Sequence, residues 1–371
     1  MKYILPAVLL TMIVSSVTAA ELSPDRPRKG KWDFSPQRIW RIDEAAGMPF
    51  GEIQALLIPE KKYVVIQDRR QYKLFIVDAS TGHLLHAFGE RGEGPGQIRR
   101  MQQVLAVPGG LLVPERGRLH YFDMKGNFKR SEVISPEIVP RACIDADRIV
   151  SAPVLPRDRG DGREDISLYT VSTKETKPIA SYQAFNKGTA SESSGGNVMT
   201  VGIVVGGLTP MMQVHYNRGV IYFGKNDAYR IQAVDLKGHE QLEFGIKDRK
   251  RAPVSMKFKR DLFSDLGGDI PQQMLERILN GLPDRCTAWT RMTTDSNGRV
   301  YVLGADLERS HAVGVDIFSA AGEFLYQGEF TVAPGGSIQA TAVKDDLLVM
   351  AIQDEDGELW LDGFRIQLPP T

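Results

Sequence analysis

Two copies of one unit follow each other in the chain and decide its fold. The first, YVVIQDRRQYKLFIVDASTGHLLHAFG, covers residues 63–89, and the second, LLVPERGRLHYFDMKGNFKRSEV, covers residues 111–133. Each copy has an apolar run, a polar turn, a basic-aliphatic pair, an apolar-Asp pair, a Gly-bearing turn and another alternating run. Short alternating strands separated by turn residues at a fixed period are typical of a propeller blade.

Turn glycines give the period of this repeat. Gly82 and Gly126 are 44 positions apart, and the equivalent turn glycines of later copies are Gly238 and Gly322. The interval of 112 positions between Gly126 and Gly238 fits two blades with extra loop. The interval of 84 between Gly238 and Gly322 fits one blade and an insertion. With weaker third and last copies, the sequence predicts an all-β, six-bladed β-propeller with four-stranded blades.

The junction FGERGEGPGQIRRMQQVLAV, residues 88–107, together with the basic-aliphatic pairs and the apolar-Asp-x-x-Gly turns, resembles the blades of NHL-repeat six-bladed β-propellers. The resemblance is clearest in the first two blades and weakest in the third and sixth. It implies the architecture and says little about activity, because related propellers serve as binding platforms, lactonases and lyases.

Residues 1–20 have the pattern of a secretory signal peptide, with Lys2, an apolar stretch from Ile4 to Val17, and Ala19 and Ala20 as small cleavage-site residues. An uncleaved anchor helix is the alternative. No second apolar stretch of spanning length follows in the sequence. We therefore expect residues 21–371 to be one periplasmic or secreted propeller domain that is not an integral membrane protein after cleavage.

Both ends of the chain and two insertions depart from the repeat. RIWRID, residues 38–43, is predicted to close the ring by pairing with the C-terminal strand in LWLDGFRIQL. Residues 186–209 are predicted to be an irregular insertion with a flexible Ser/Gly-rich part. Residues 253–282 are predicted to be a helical pair, with Asp269 and Pro271 opening the second helix and Gly281 following it. This pair would pack on one face as a lid or a docking element.

Charge and cysteine content bound the function further. Lys plus Arg equals Asp plus Glu at 46 each, so no basic excess indicates a nucleic-acid partner. Cys143 and Cys286 would be permitted to pair in an exported protein, but two buried free thiols are the favoured alternative, because blades mainly contact their neighbours.

No catalytic motif is visible, and the six histidines are scattered. The sequence favours a non-catalytic platform that binds a protein, peptide or glycan partner and needs no cofactor. The alternative is a lactonase-like, metal-dependent hydrolase or lyase with Ca²⁺ or Zn²⁺ in the channel. By analogy with the family, we expect intra-blade loops to carry the binding residues, which are Asp68, Arg69, Arg70, Glu115, Arg116, Lys225, Asn226, Asp227, Asp306, Arg309, Asp354 and Asp356.

Overall fold

The computed structural model describes residues 22–153, 162–183, 189–194, 197–202, 206–262, 272–304 and 306–370. Six four-stranded antiparallel sheets surround a central channel, and the predicted six-bladed β-propeller is confirmed. In five of these sheets, strands that are consecutive in sequence pair with each other from an inner strand beside the channel to an outer strand, and in the sixth the first strand of the chain is the outer one.

The first three blades follow chain order. Blade 1 contains β4 (Ile53–Leu57), β5 (Tyr63–Asp68), β6 (Lys73–Asp78) and β7 (Leu84–Phe88). Blade 2 contains β8 (Leu105–Val107), β9 (Gly110–Glu115), β10 (Arg118–Asp123) and β11 (Phe128–Val133). Blade 3 contains β12 (Pro140–Cys143), β13 (Arg148–Ser151), β14 (Arg163–Thr170) and β15 (Glu175–Gln183).

The last three blades include the closure of the ring. Blade 4 contains β18 (Met212–Asn217), β19 (Val220–Lys225), β20 (Arg230–Asp235) and β21 (Glu240–Gly245). Blade 5 contains β22 (Arg291–Thr294), β23 (Val300–Leu303), β24 (Ala312–Phe318) and β25 (Phe324–Thr331). Blade 6 contains β26 (Ser337–Lys344), β27 (Leu347–Gln353), β28 (Leu359–Arg365) and, as its outer strand, β1 (Gln37–Ile42).

Pairing of β1 with β28 confirms the predicted closure. The register joins Gln37 to Arg365 and Ile42 to Leu361, so the first strand completes the last blade. Such closure protects the sheet edge that either strand would otherwise expose.

The apolar strands are buried on both faces because each blade packs against two neighbours. In β5, Val64 and Ile66 pack with Val349 and Leu361 of blade 6. The intervening Val65 packs on the opposite side with residues of blade 2. Alternation along a strand therefore sends successive side chains to two different interfaces, which explains the continuous apolar runs.

The repeated Gly-bearing turn joins the third strand of a blade to its outer strand. Asp78 accepts hydrogen bonds from the backbone of Ser80 and Thr81, and Gly82 has a φ of 71°. Gly126, Gly238 and Gly322 have the same left-handed conformation in blades 2, 4 and 5. Glycine adopts this conformation without the strain that a Cβ would cause.

The helical insertion between blades 4 and 5 consists of α1 (Met256–Asp261) and α2 (Gln272–Gly281). The Ser255 side chain caps α1 by accepting from the Phe258 amide at 3.1 Å. Gly281 is the last residue of α2 instead of following it, while Asp269 and Pro271 lie outside the described residues.

The prediction of an irregular segment over residues 186–209 was wrong for residues 189–194 and 197–202, whereas residues 206–209 belong to no strand or helix. β16 (Thr189–Ser194) and β17 (Asn197–Gly202) pair as an antiparallel hairpin between blades 3 and 4. The two residues between these strands in the sequence are Gly195 and Gly196, a pair that favours two-residue hairpin connections. A further small hairpin joins β2 (Glu44–Ala45) and β3 (Met48–Pro49).

The segment before β1 lies across blade 5. The backbone of Arg28, Lys29 and Trp32 donates to carbonyls of β25 residues, and Phe34 is buried against Phe330. This Pro- and charge-rich arm thus covers the outer strand of blade 5. Carbonyl groups at the edge of β25 accept hydrogen bonds from the arm, so they are not left as a free sheet edge.

Cys143 and Cys286 are both buried free thiols. Cys143 packs in the core between blades 2 and 3, whereas Cys286 packs below the helical insertion. The favoured alternative of two separate thiols is confirmed.

Candidate binding site at the channel and its mouth

The inner strands of the six blades surround a cavity of about 1960 Å³. It continues from the channel to an opening on one face, which we call the mouth face. The inner strands begin at this face and the second strands end there. The first residues of three inner strands pair with the last residues of the second strands, as Ile53–Asp68, Pro140–Ser151 and Met212–Lys225.

The hairpins between the second and third strands therefore lie on the mouth face as well. We call the described parts of these connections in blades 1, 2, 4, 5 and 6 the rim hairpins: residues 69–72, 116–117, 226–229, 304 with 306–311, and 354–358. The structure brings the predicted intra-blade loops together on one side of the ring. Their role in binding stays a prediction.

Three of the predicted site residues are buried and hold the fold together. Asp68 accepts hydrogen bonds from the backbone of Gly51 and Glu52, and Glu115 accepts from the backbone of Arg99 and Arg100. In the same way, the Asn226 side chain accepts from the Met211 amide and donates to the Trp289 carbonyl. Each group ties the end of a second strand to the segment that enters an inner strand, so these side chains are not offered to a partner.

The other predicted site residues are exposed or half-buried and divide between the mouth and the periphery. Arg69, Arg70, Arg116 and Asp306 line the cavity at the mouth. Lys225 and Asp227 form an ion pair with each other at 2.6 Å, and Arg309 pairs with Glu329 at 3.4 Å. Asp354 and Asp356 instead line a separate groove of about 780 Å³ beside blade 6.

Arginines of blades 1 and 2 make one side of the mouth basic. Arg69 is paired with Glu52, at 3.0 Å. Arg70, Arg100 and Arg116 are exposed and form no ion pair with any residue that the structure describes. Sequence analysis missed Arg100, which follows the glycine-rich crossover between these two blades.

Helix α1 and blade 5 supply the opposite side of the mouth. Phe258, Asp261 and Leu262 of this helical segment line the cavity. Glu308 also lines it and accepts a hydrogen bond from the Ser255 amide at 2.7 Å, which lowers the pKa of its carboxyl. The mouth is therefore basic on one side and acidic with apolar groups on the other.

Deeper in the channel, the prominent charged groups are two arginines that the sequence analysis also missed. Arg141 of β12 donates to the Met212 carbonyl at 2.8 Å, and Arg291 of β22 donates to the Thr341 carbonyl at 3.0 Å. Both side chains are half-buried in the channel wall, and desolvation lowers the pKa of each guanidinium. Their ordinary pKa is so high that both remain charged at neutral pH.

A histidine lies on the inner strand between them. His215 Nε2 is 3.0 Å from Thr294 Oγ1. Burial, with a smaller effect from Lys344, lowers the pKa of His215 to about 4, so its imidazole is neutral at pH 7. The sequence signal for this lining was alternation within the inner strands, where polar residues recur at every second position, as in MQVHY and IQATA.

The described parts of the chain contain no cluster of side chains that could bind a metal ion. There, no three His, Cys, Asp or Glu side chains lie close enough together to hold an ion. Arg141 and Arg291 would repel a divalent cation in the channel. Neither described helix is long and apolar enough to span a membrane.

Comparison with known proteins supports the fold. The chain is 12% identical to a member of the DUF4221 family from Bacteroides vulgatus, with a TM-score of 0.53 over 90% of this chain and 98% of that one. A candidate exported protein from Bacteroides fragilis is 9% identical, with a TM-score of 0.49 over 91% and 95%. The WD40 domain of Pan2 from Neurospora crassa is 8% identical, with a TM-score of 0.44 over 92% and 99%.

The six four-stranded blades define the class of protein, a six-bladed β-propeller, and the similarity to the DUF4221 member supports this fold. No protein-family model matches the sequence. No curated protein matches it either.

Proposed function

We propose that this protein is an exported, non-catalytic binding platform whose mouth face engages a protein, peptide or glycan partner. The observation that carries the proposal is the convergence of the rim hairpins, the helical insertion and the channel opening on one face. Arg70, Arg100 and Arg116 are charged, exposed and free of carboxylate partners among the described residues. Groups of this kind steer an oppositely charged partner and select it.

The charge distribution indicates what the partner presents. Acidic groups would face the arginines of blades 1 and 2, while an apolar or basic part would face Phe258, Leu262 and Glu308 of the opposite side. A rigid ring loses little conformational entropy on binding, which favours a partner that docks across the mouth. Export by the predicted signal peptide and membership of an NHL-like group belong to the same proposal.

The test is site-specific photo-crosslinking in the envelope of the native cell. A photoreactive residue in place of Arg116 should trap a partner, and Arg70→Ser, Arg100→Ser and Arg116→Ser together should abolish its co-purification with the propeller. The control replaces three exposed lysines of the opposite face, Lys62, Lys125 and Lys237, with serine. Equal loss with both sets of variants, or no crosslink at the mouth, would contradict the proposal.

A further inference from the structure

We propose that the channel holds a binding site for a small organic anion, whose carboxylate or phosphate groups contact Arg141 and Arg291. This site is separate from the rim residues of the proposed function, and neither proposal depends on the other. Guanidinium groups match the planar oxygens of these acids in geometry and charge.

The two arginines lie at the same depth in the channel. Arg141 reaches Met212, the first residue of β18, and Arg291 is the first residue of β22. His215 lies three positions after Met212 and contacts Thr294, which lies three positions after Arg291. The register therefore places Arg141 and Arg291 at the same depth, with the Arg141 guanidinium against β18 and the Arg291 guanidinium against β26.

Nothing in the described channel wall neutralises these charges. The protein partners of both guanidinium groups are backbone carbonyls, and neither forms an ion pair with a described residue. The carboxylates that line the cavity, Glu52, Asp261, Asp306 and Glu308, belong to segments at the mouth. A half-buried charge without a counter-charge is partly desolvated, and an incoming anion would offset the cost of that desolvation.

The surroundings suit a polar, acidic ligand rather than a metal or an apolar molecule. Gln213 lines the cavity from β18, the inner strand between those that carry the two arginines. Gln339 and Thr341 line it from β26. These side chains offer uncharged donors and acceptors for hydroxyl or amide groups of the ligand. His215, neutral at pH 7, adds no competing positive charge there.

The experiment measures thermal unfolding and calorimetric binding of the mature chain with inorganic phosphate or succinate. Sodium chloride at matched ionic strength is the reference for each. A ligand that binds only the folded state raises the free energy of unfolding. Above the Kd, this rise follows the logarithm of the ligand concentration. We expect saturable calorimetric binding and a concentration-dependent rise in Tm with at least one probe, and comparison of the two identifies the preferred acid group.

Arg141→Gln and Arg291→Gln should each weaken binding at least tenfold without lowering the ligand-free Tm much. Arg230→Gln, on the outside of blade 4 beside Glu243, is the matched control and should bind as the wild type does. If either glutamine variant fails to fold, Arg141→Lys and Arg291→Lys retain the charge and should bind more weakly because they lack the planar fork.

The opposing explanation is that both arginines only brace adjacent blades. It predicts no saturable calorimetric binding of either anion to the wild type and no rise in Tm beyond that in sodium chloride, which would overturn the proposal whatever the variants do. Full anion binding by both glutamine variants would overturn it as well. The rim variant with Arg70, Arg100 and Arg116 replaced should keep its anion response, which separates this result from the test of the mouth face.

Discussion

The indole Nε1 of Trp40 donates a hydrogen bond to the carbonyl oxygen of Ala79 at 3.0 Å, and so joins the outer strand of blade 6 to blade 1. The same indole covers Gly82, where an added Cβ would lie 2.9 Å from ring carbons of Trp40. Equivalent turn glycines meet the preceding blade at Phe88 for Gly126 and at Phe244 for Gly322. The repeating glycine therefore serves both the turn and the contact between blades.

Gly82→Ala tests this double role. We expect a loss of about 2 to 5 kcal/mol in the free energy of unfolding, from left-handed backbone strain and from the clash with Trp40. Gly109→Ala is the matched control, because Gly109 has a similar φ of 74° and no atom within 4 Å of an added Cβ. It should cost about 1 to 2 kcal/mol. Equal losses in urea denaturation would show that the contact with Trp40 adds nothing.

A buried charged cluster links the N-terminal arm to blades 4 and 5. Asp316 accepts hydrogen bonds from Tyr229 Oη at 2.7 Å and from Arg249, which also reaches Asp25 of the arm. Asp316→Ala would leave the Arg249 charge poorly compensated, and we expect it to cost about 3 to 5 kcal/mol.

The control for this variant is Glu323→Ala, which removes the exposed ion pair with Arg28. An exposed pair of this kind contributes about 0 to 1 kcal/mol. Chemical denaturation of both variants gives the comparison. A smaller loss for Asp316→Ala than for Glu323→Ala would refute the structural role of the cluster.

His215 predicts a specific dependence of stability on pH. Its pKa falls from an ordinary value of 6.5 to about 4 in the folded protein, so between these values the unfolded chain binds more protons. Its contribution is present above pH 6.5 and is lost as the pH falls towards 4, by at most about 3 kcal/mol.

His215→Gln should remove this part of the profile. The difference in unfolding free energy between wild type and variant should change across pH 6.5 to 4 and stay level from pH 7 to 8. A difference that is constant over the whole range would contradict the desolvated, neutral imidazole.

The two thiols should be unreactive in the folded protein. Burial raises the pKa of both Cys143 and Cys286, so little thiolate is present and the reagent has no access. Ellman's reagent should titrate neither thiol before unfolding and both after unfolding without reductant. Absence of both thiols in the unfolded, unreduced chain would instead demonstrate a disulfide.

Much of the fold was predictable because its determinants are local and repeat. Asp78 and Gly82 specify a turn through hydrogen bonds and φ within five residues, and alternation in β5 specifies a strand buried on both faces. Six repeats of such a unit define a ring. The irregular prediction for residues 189–202 failed because Ser/Gly content was given more weight than the Gly-Gly hairpin signal.

The candidate sites depended on tertiary structure. By itself, the sequence determined blade number, turn chemistry and the position of the helical insertion. It did not distinguish Asp68, whose carboxylate is used by backbone amides, from Arg70, whose charge is free at the mouth. Arg141 and Arg291 are 150 positions apart in the sequence, and only closure of the ring brings them to one depth of one channel. Short-range chemistry builds each blade, whereas the angle between blades decides which side chains share a cavity.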